Sequence, residues 1–166
     1  MANAAERLVI NTGPLIALAK IGALEVAGQL PLVFLCPTEV REELDRGEAK
    51  GFPAVDPVWL EVRQLAKPPD LVARVTLDKG EAAVIQLALE LGIPQVCIDE
   101  VRGRRAAKAV GLEVVGTLGL LLRAKSSGII PALRLYTDRL QRVEPWYGET
   151  LISKVLAAAG ELGDVA

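Results

Sequence analysis

The sequence contains no histidine in its 166 residues, and it has only two cysteines. The absence of histidine excludes Ser-His-Asp and Cys-His catalysis, histidine-ligated zinc and proximal-histidine haem. Cys36 and Cys97 form no CxxC pair, and each lies within or at the end of an apolar run, which is typical of buried reduced thiols. Acid–base or metal chemistry in this chain therefore depends on carboxylates, with lysine, tyrosine or cysteine in reserve.

Long hydrophobic segments are also missing. No uncharged apolar stretch approaches the ~18 residues of a membrane-spanning helix, and the N-terminus lacks the charged and apolar regions of a secretion signal. Hydrophobic residues nevertheless make up 51% of the chain, which is enough for a sizeable core, and the net charge of −2 excludes a strongly basic surface. We therefore expect a cytoplasmic protein without a membrane segment, folded as a single domain over residues 1–166.

Short apolar runs alternate with helical patterns along the chain. The runs predict strands over 8–10, 32–35, 96–98 and 113–115, and a weak alternation predicts a short, edge-like strand over 59–65. The helical patterns cover 15–24, 37–45, 78–91, 101–110, 118–125, 131–142 and 147–160, with a turn at 11–14 and a loop at 47–58. Such alternation predicts an α/β fold in which helices cover both faces of a parallel sheet.

Two polar residues directly follow predicted strands. Asn11 follows the strand 8–10, and Asp99 follows the strand 96–98. Because the carboxyl ends of parallel strands meet at one edge of a sheet, where ligands commonly bind, we expect these two side chains at the same edge. The competing interpretation is that both residues simply cap the helices that follow them.

Two glutamates on predicted helices face inward. Glu81 shares a stripe with Ile85 and Ala88, although Asp78 and Glu81 also fit a capping box. Glu43 borders the apolar face of the helix after Pro37. For both glutamates a purely structural role, a cap or a solvated helix face, remains an alternative.

Asn11, Glu43, Glu81 and Asp99 together suggest a metal site. Converging carboxylates repel one another unless a cation joins them or one takes up a proton. Oxygen-only ligands suit Mg²⁺ or Mn²⁺, and such an ion activates water and stabilises charge on a phosphate. A protein without histidine can hydrolyse a phosphodiester in this way.

A dense basic cluster begins shortly after Asp99. Arg102, Arg104, Arg105 and Lys108 fall within seven residues, 102–108. Contacts to a nucleic-acid backbone are one use of such a cluster, and a solvated helix face is the other.

The motifs resemble those of PIN-domain proteins, in particular an uncharacterised branch related to toxin ribonucleases of the virulence-associated protein C type. The resemblance rests on four segments in order, followed by a fifth that usually accompanies them: 9–22, 40–44, 77–85, 97–104 and 116–121. It covers residues 8–160, nearly the whole chain. It implies a three-layer α/β/α sandwich with a central parallel sheet, and a divalent-metal site that cleaves single-stranded RNA.

The resemblance also assigns roles to individual residues. The four acidic positions of the family fall on Asn11, Glu43, Glu81 and Asp99, which would be both catalytic and metal-binding residues. Glu100 would replace or assist Asp99. Thr117 falls where a hydroxyl often lies near the site, and we include it with Arg102, Arg104 and Arg105 among the expected RNA-binding residues.

Asn11 departs from the family pattern, in which this position is usually Asp. An amide oxygen can ligate a metal, but it brings no charge and cannot accept a proton as a base. The leading hypothesis is a Mg²⁺- or Mn²⁺-dependent endoribonuclease, potentially the toxin of a toxin–antitoxin pair. The alternative is a degenerate PIN module that binds RNA or a protein without chemistry.

A Rossmann-like nucleotide-binding protein is a third hypothesis, although no GxGxxG or P-loop pattern is present. The expected partners under the leading hypothesis are single-stranded RNA, an antitoxin protein and a second copy of the chain. The apolar helices at 16–30 and 118–122 would serve as the surface of that homodimer, or else belong to the core.

Overall fold

Five strands form one parallel sheet in the computed structural model, which describes residues 5–162. The strands are β1 (Glu6–Ile10), β2 (Leu32–Pro37), β3 (Leu60–Arg63), β4 (Gln95–Cys97) and β5 (Glu113–Val115). Their order across the sheet is β3-β2-β1-β4-β5, and every neighbouring pair is parallel. All five predicted strands are therefore present, with bounds within two residues at most ends.

The described helices are α1 (Thr12–Lys20), α2 (Leu24–Gly28), α3 (Thr38–Ala49), α4 (Leu71–Thr76), α5 (Lys79–Leu91), α6 (Val101–Ala109), α7 (Thr117–Ser126), α8 (Arg134–Val143) and α9 (Glu149–Ala158). Helices α3, α4 and α6 pack against α5, whereas α1, α2, α7, α8 and α9 contact one another. The two groups cover the sheet, which confirms the predicted three-layer α/β/α architecture.

The burial of the central strands explains why short apolar runs predicted strands correctly. Leu8, Val9 and Ile10 of β1 are fully buried, as expected for a parallel strand covered on both faces. Helix α5 lies across β1, β2 and β4, and most of its residues are buried. The helix predicted over 78–91 is therefore present, with bounds that agree to within one residue.

Three local predictions were wrong, each for a physical reason. The predicted turn at 11–14 is the start of α1, because Pro14 lies in the first turn of the helix, where a backbone N–H is not needed. Helix α3 continues through Gly47 and ends at Ala49, with Lys50 as its C-cap residue, ahead of Gly51, whose φ is +99°. Helix α4 was not predicted, since none of its six residues is buried and no apolar periodicity marks it.

The sheet reverses its strand order between β1 and β4. The chain proceeds from β1 outwards to β2 and β3, and then returns to place β4 on the other side of β1. The amide of Asn11 donates to the carbonyl of Cys97 at 3.0 Å, so the ends of these two strands lie side by side. Ligands of open α/β sheets bind in the crevice outside the carboxyl ends of strands at such a reversal.

The apolar segments considered for a homodimer lie largely in the core. Leu18 and Leu30 of the first segment and Leu120 and Leu121 of the second are all buried within the chain itself. Both cysteines are free and buried, as predicted. Among residues 5–162, no helix combines the length and hydropathy that crossing a bilayer requires.

Candidate functional site

A cavity of about 680 Å³ opens at the crevice between β1 and β4. It brings together all four residues that were predicted to form the site, Asn11, Glu43, Glu81 and Asp99. Its other charged lining residues are Lys20, Asp78, Glu100 and Glu144. Six carboxylates therefore face one cavity with a single lysine among its lining residues, an arrangement that is costly without a cation.

Asn11 follows β1 and occupies the N-cap position of α1, but its side chain does not cap the helix. The residue is 7% exposed, and within residues 5–162 no donor reaches its buried Oδ1 atom. A buried carbonyl oxygen without a hydrogen-bond partner is energetically unfavourable, and at a cavity such an atom is suited to contact a cation or a water molecule. The capping interpretation of Asn11 is therefore wrong, and its amide oxygen is free to act as a ligand.

Glu43 enters the cavity from α3 and is held by two neighbouring elements. Its Oε2 atom accepts a hydrogen bond from the Thr12 hydroxyl at 2.7 Å. On the other side, a Cβ atom at Gly80 would lie 2.5 Å from Oε1 of Glu43, so the glycine leaves the space that this carboxylate fills. Glu42, the preceding residue of the same helix, is exposed.

Glu81 is the most deeply buried carboxylate of the cavity, with 2% of its surface exposed. The capping box is half formed, since Asp78 accepts a hydrogen bond from the Glu81 amide at 2.7 Å. Oxygen atoms of Asp78, Glu81 and Glu100 all lie within 4.8 Å of one another, the one such set of three among the described residues. Gly103 allows this packing, because a Cβ there would lie 3.2 Å from the Glu81 carboxyl carbon.

Electrostatics make Glu81 prone to hold a proton when no cation is present. Burial, together with the nearby charges of Asp78 and Glu100, raises the pKa of Glu81 to about 8. A cation at the cluster would compensate both the lost hydration and the repulsion. The donor set of carboxylate and amide oxygens fits a hard divalent ion such as Mg²⁺ or Mn²⁺.

Asp99 is held by two elements beyond its own strand. The Thr117 amide donates to Oδ1 at 2.8 Å, and the Thr117 hydroxyl donates to Oδ2 at 2.6 Å. The Tyr147 hydroxyl donates to Oδ2 at 3.2 Å. Asp99 does not cap α6, whose N-cap residue is Glu100, but it lies at the N-terminus of α7, where the helix dipole favours negative charge.

A family model described as a PIN domain matches residues 7–161. The chain belongs to the PIN-domain family. This result agrees with the motif resemblance and decides against the Rossmann-like alternative. No curated protein and no solved structure matches the chain significantly.

The basic cluster of this PIN domain divides into two groups. Arg102 and Arg105 are exposed and lie with Glu100 and Val101 around a shallow depression next to the main cavity. Arg104 is half-buried, and its Nη1 atom donates to the carbonyl of Ile98 at 2.8 Å. This bond supports the end of the strand next to Asp99, so Arg104 differs from its neighbours in being engaged within the domain.

Thr117, expected to contact RNA, is fully buried and holds Asp99 instead. Several other residues of the cavity were not predicted. Sequence reasoning considered Asp78 only as a helix cap, because the capping box gave a sufficient local explanation. Lys20 lies within the first motif segment but received no role there, and Glu144 comes from a segment without a motif. Tyr147, which contacts Asp99 from beside the cavity, also lies outside the motifs. Only the packing of α8 and the following loop against α1 and Asp99 brings these residues to the site.

Proposed function

We propose that this PIN domain is a divalent-metal-dependent endoribonuclease that cleaves single-stranded RNA. The observation that carries the proposal is the cavity at the strand reversal, where six carboxylates and an unpartnered amide oxygen face one another. An oxygen-lined site of this kind allows metal-dependent phosphodiester hydrolysis in a chain without histidine. Membership of the PIN family supports a nuclease-type reaction at this place in the fold.

The cluster of Asp78, Glu81 and Glu100 would hold the ion, with Oδ1 of Asn11 directed at the same cavity. Glu43 and Asp99 would contact it directly or through water. When bound, Mg²⁺ or Mn²⁺ lowers the pKa of a water molecule and stabilises the charge that develops on the phosphate. Thr12 orients Glu43, while Thr117 and Tyr147 orient Asp99.

RNA would enter over the exposed arginines. Arg102 and Arg105 are free to neutralise backbone phosphates on one side of the cavity. Lys20 lines the cavity itself, where its Nζ atom pairs with Glu144 at 3.1 Å, and it would meet the phosphate nearest the acidic cluster. The net charge of −2 is compatible with such a local basic patch and not with a surface that is basic throughout.

Cleavage assays with matched variants test this function. Purified protein incubated with single-stranded RNA and Mn²⁺ should cleave the RNA, and chelation of the metal should stop the reaction. Glu81→Gln, Glu43→Gln and Asp99→Asn should each lower the rate by at least about a hundredfold, whereas Glu42→Gln on the exposed side of α3 should not. Equal cleavage by wild-type protein and Glu81→Gln would identify the activity as a contaminant.

The absence of a charge at Asn11 favours a second candidate, a PIN module that binds RNA without cleaving it. Asn11→Asp separates the two candidates. Under the nuclease proposal, the added carboxylate should strengthen Mn²⁺ binding and raise an existing metal-dependent activity. Under the binding-only alternative, the wild-type protein is inactive with Mn²⁺, and Asn11→Asp remains inactive as well.

A toxin role, an antitoxin partner and a homodimer are extensions that rest on the resemblance to toxin ribonucleases. Induced expression of the wild-type protein in a bacterial host should arrest growth, whereas expression of Glu81→Gln should not. Equal growth of the two cultures would contradict the toxin role. Sedimentation of the purified protein measures its oligomeric state directly.

A further inference from the structure

An exposed tryptophan lies at the edge of the acidic cavity. Trp146 follows Pro145 in the loop between α8 and α9, lines the cavity, and is 61% exposed. The sequence contains only six aromatic residues, two each of Trp, Tyr and Phe, so this ring is not part of a broad aromatic surface. A ring that is 61% exposed contributes little to the core, so its position at the cavity is open to a ligand.

The ring is fixed in place although it is exposed. Its Nε1 atom donates to Oε2 of Glu144 at 2.8 Å, and Oε1 of the same carboxylate pairs with Lys20. The indole also stacks on Tyr147, with ring centroids 4.0 Å apart and an interplanar angle of 24°. Tyr147 in turn donates to Asp99, so the orientation of the indole is linked to the acidic site through one side chain.

A fixed aromatic surface favours a planar partner. Tyr147 covers part of the indole, and the exposed remainder can stack on one further ring without losing rotational freedom. Unpaired nucleobases stack on aromatic side chains regardless of base identity, whereas bases within a duplex are already stacked on one another. An exposed indole beside the cavity thus provides both affinity and selection for single strands.

We infer that Trp146 is the stacking platform for one unpaired nucleobase of the RNA that enters the acidic cavity. The inference deepens the proposed function and rests on it for the position of the RNA. Trp146 is then the residue that distinguishes single-stranded from double-stranded RNA. The acidic residues alone cannot make this distinction. Trp146 is a binding residue here, because it contacts a base and not the reacting phosphate.

Binding of short RNA tests the inference without cleavage. A labelled single-stranded hexanucleotide is titrated into Glu81→Gln protein, and the affinity is compared with that of the double variants Glu81→Gln/Trp146→Ala and Glu81→Gln/Trp146→Phe. The alanine change should weaken binding roughly 5- to 150-fold, the range of base–aromatic stacking. Phenylalanine keeps a ring and should retain most of the affinity.

The matched control is Leu135→Ala in the same background, because Leu135 is an exposed apolar residue outside the cavity lining. Its affinity for the hexanucleotide should equal that of the parent. A duplex of the same sequence should bind the parent and the Trp146→Ala variant equally. Circular dichroism checks that each variant is folded.

Hexanucleotides with one abasic position identify the stacked base. If the indole stacks on one base, removing that base should weaken binding as much as Trp146→Ala does, and the two changes together should cost no more than either alone. If the losses of binding affinity caused by Trp146→Ala and by the missing base add at every abasic position, the inference is overturned. Equal binding of the hexanucleotide by Trp146→Ala and parent, or no binding by the parent, would also overturn it.

Tryptophan fluorescence gives an independent measurement, since the chain has only two tryptophans. Trp59 packs against Phe34 at a centroid distance of 5.1 Å and does not line the cavity. RNA should quench the emission of the Glu81→Gln parent and leave that of its Trp146→Phe derivative, which reports Trp59 alone, unchanged. Equal quenching of the two proteins would contradict the proposal.

Failure of this inference is distinguishable from failure of the proposed function. If Glu81→Gln abolishes metal-dependent cleavage but Trp146→Ala binds and cleaves RNA normally, the stacking role of Trp146 is rejected and the nuclease proposal stands. If Trp146→Ala loses RNA binding but the wild-type protein does not cleave RNA, the stacking role stands and the nuclease proposal is rejected.

Discussion

Gly80 and the Glu43 carboxylate share a space that a larger residue would close. A Cβ atom at residue 80 would lie 2.5 Å from Oε1 and 2.9 Å from Oε2 of Glu43. Gly80 lies in the first turn of α5, between the helix cap Asp78 and the buried Glu81. The glycine of this turn therefore serves the site, because it allows carboxylates from α3 and α5 to face the same cavity.

Replacing Gly80 by alanine should damage the site and spare the fold. The added methyl group displaces the end of a flexible Glu43 side chain, while alanine stabilises a helix by up to about 1 kcal/mol relative to glycine. We expect metal-dependent cleavage by Gly80→Ala to fall at least about tenfold, with an unfolding free energy equal to or above that of the wild type.

Gly148→Ala is the control for this change, because no atom lies within 4 Å of a Cβ at residue 148. It should leave cleavage unchanged. A Gly80→Ala protein as active as the wild type would show that the position of Glu43 is not important for the reaction.

The buried Glu81 should make the metal-free protein less stable at high pH. Its pKa is raised from 4.5 to about 8 on folding, so the folded state binds the proton more tightly than the unfolded state. Stability should therefore fall as pH rises from about 4.5 to 8 and level off above that range. Glu81→Gln lacks this titration and should be the more stable protein at pH 8.5.

Denaturant unfolding in the presence of a chelator, at pH 5 and pH 8.5, measures this effect. The advantage of Glu81→Gln over the wild type should increase by at least about 1 kcal/mol between the two pH values, since one pKa unit corresponds to about 1.4 kcal/mol. Glu42→Gln should show no such increase. A constant difference between wild type and Glu81→Gln would contradict the raised pKa.

Thr117 should act on the reaction through Asp99. Thr117→Val removes the hydroxyl that donates to Oδ2 at 2.6 Å and keeps the backbone amide bond to Oδ1. We expect kcat to fall several-fold with little change in KM, and the unfolding free energy to fall by about 1 kcal/mol. Thr117→Ser restores the donor and should recover most of kcat, whereas a serine variant as impaired as valine would favour a packing role.

The two thiols should report global unfolding. Cys36 and Cys97 are buried, and burial raises the pKa of Cys36 to about 12 and that of Cys97 well above its usual value. Native protein should react with Ellman's reagent far more slowly than denatured protein, because thiolate is scarce and the sulfurs are covered. Rapid reaction of either thiol in the native protein would indicate that its part of the sheet opens locally.

The fold was predictable because its signals are local. The strand 8–10 is a short apolar run, and parallel strands buried on both faces have this composition. The edge strand 113–115 is only partly buried, but its two valines still mark it as a strand. Helix α4 was not predicted because it buries no side chain. The start of α1 was predicted too late in the chain, because Asn11 to Pro14 also fits a turn. In both cases the local sequence fits more than one structure, and packing decides between them.

The candidate site was predictable in part. Asn11, Glu43, Glu81 and Asp99 follow from strand ends, helix faces and the motif resemblance, and the structure places all four at one cavity. The closest cluster instead joins Glu81 to Asp78 and Glu100, whose juxtaposition depends on the packing of α5 against α6. Tyr147 and Trp146 lie in the loop between α8 and α9, far along the chain from the other site residues, so no sequence spacing indicates them.

Direct titration of Mn²⁺ into the metal-free protein tests the central claim that the acidic cavity holds a divalent ion. Calorimetry on wild-type protein, Glu81→Gln and Glu42→Gln at pH 7.5 compares the buried cluster with an exposed glutamate close to it. A divalent-metal site at this cavity predicts one Mn²⁺ site in the wild type, a loss of affinity of at least about tenfold in Glu81→Gln, and unchanged affinity in Glu42→Gln. Mn²⁺ binding that is absent in the wild type, or equally strong in all three proteins, would contradict it.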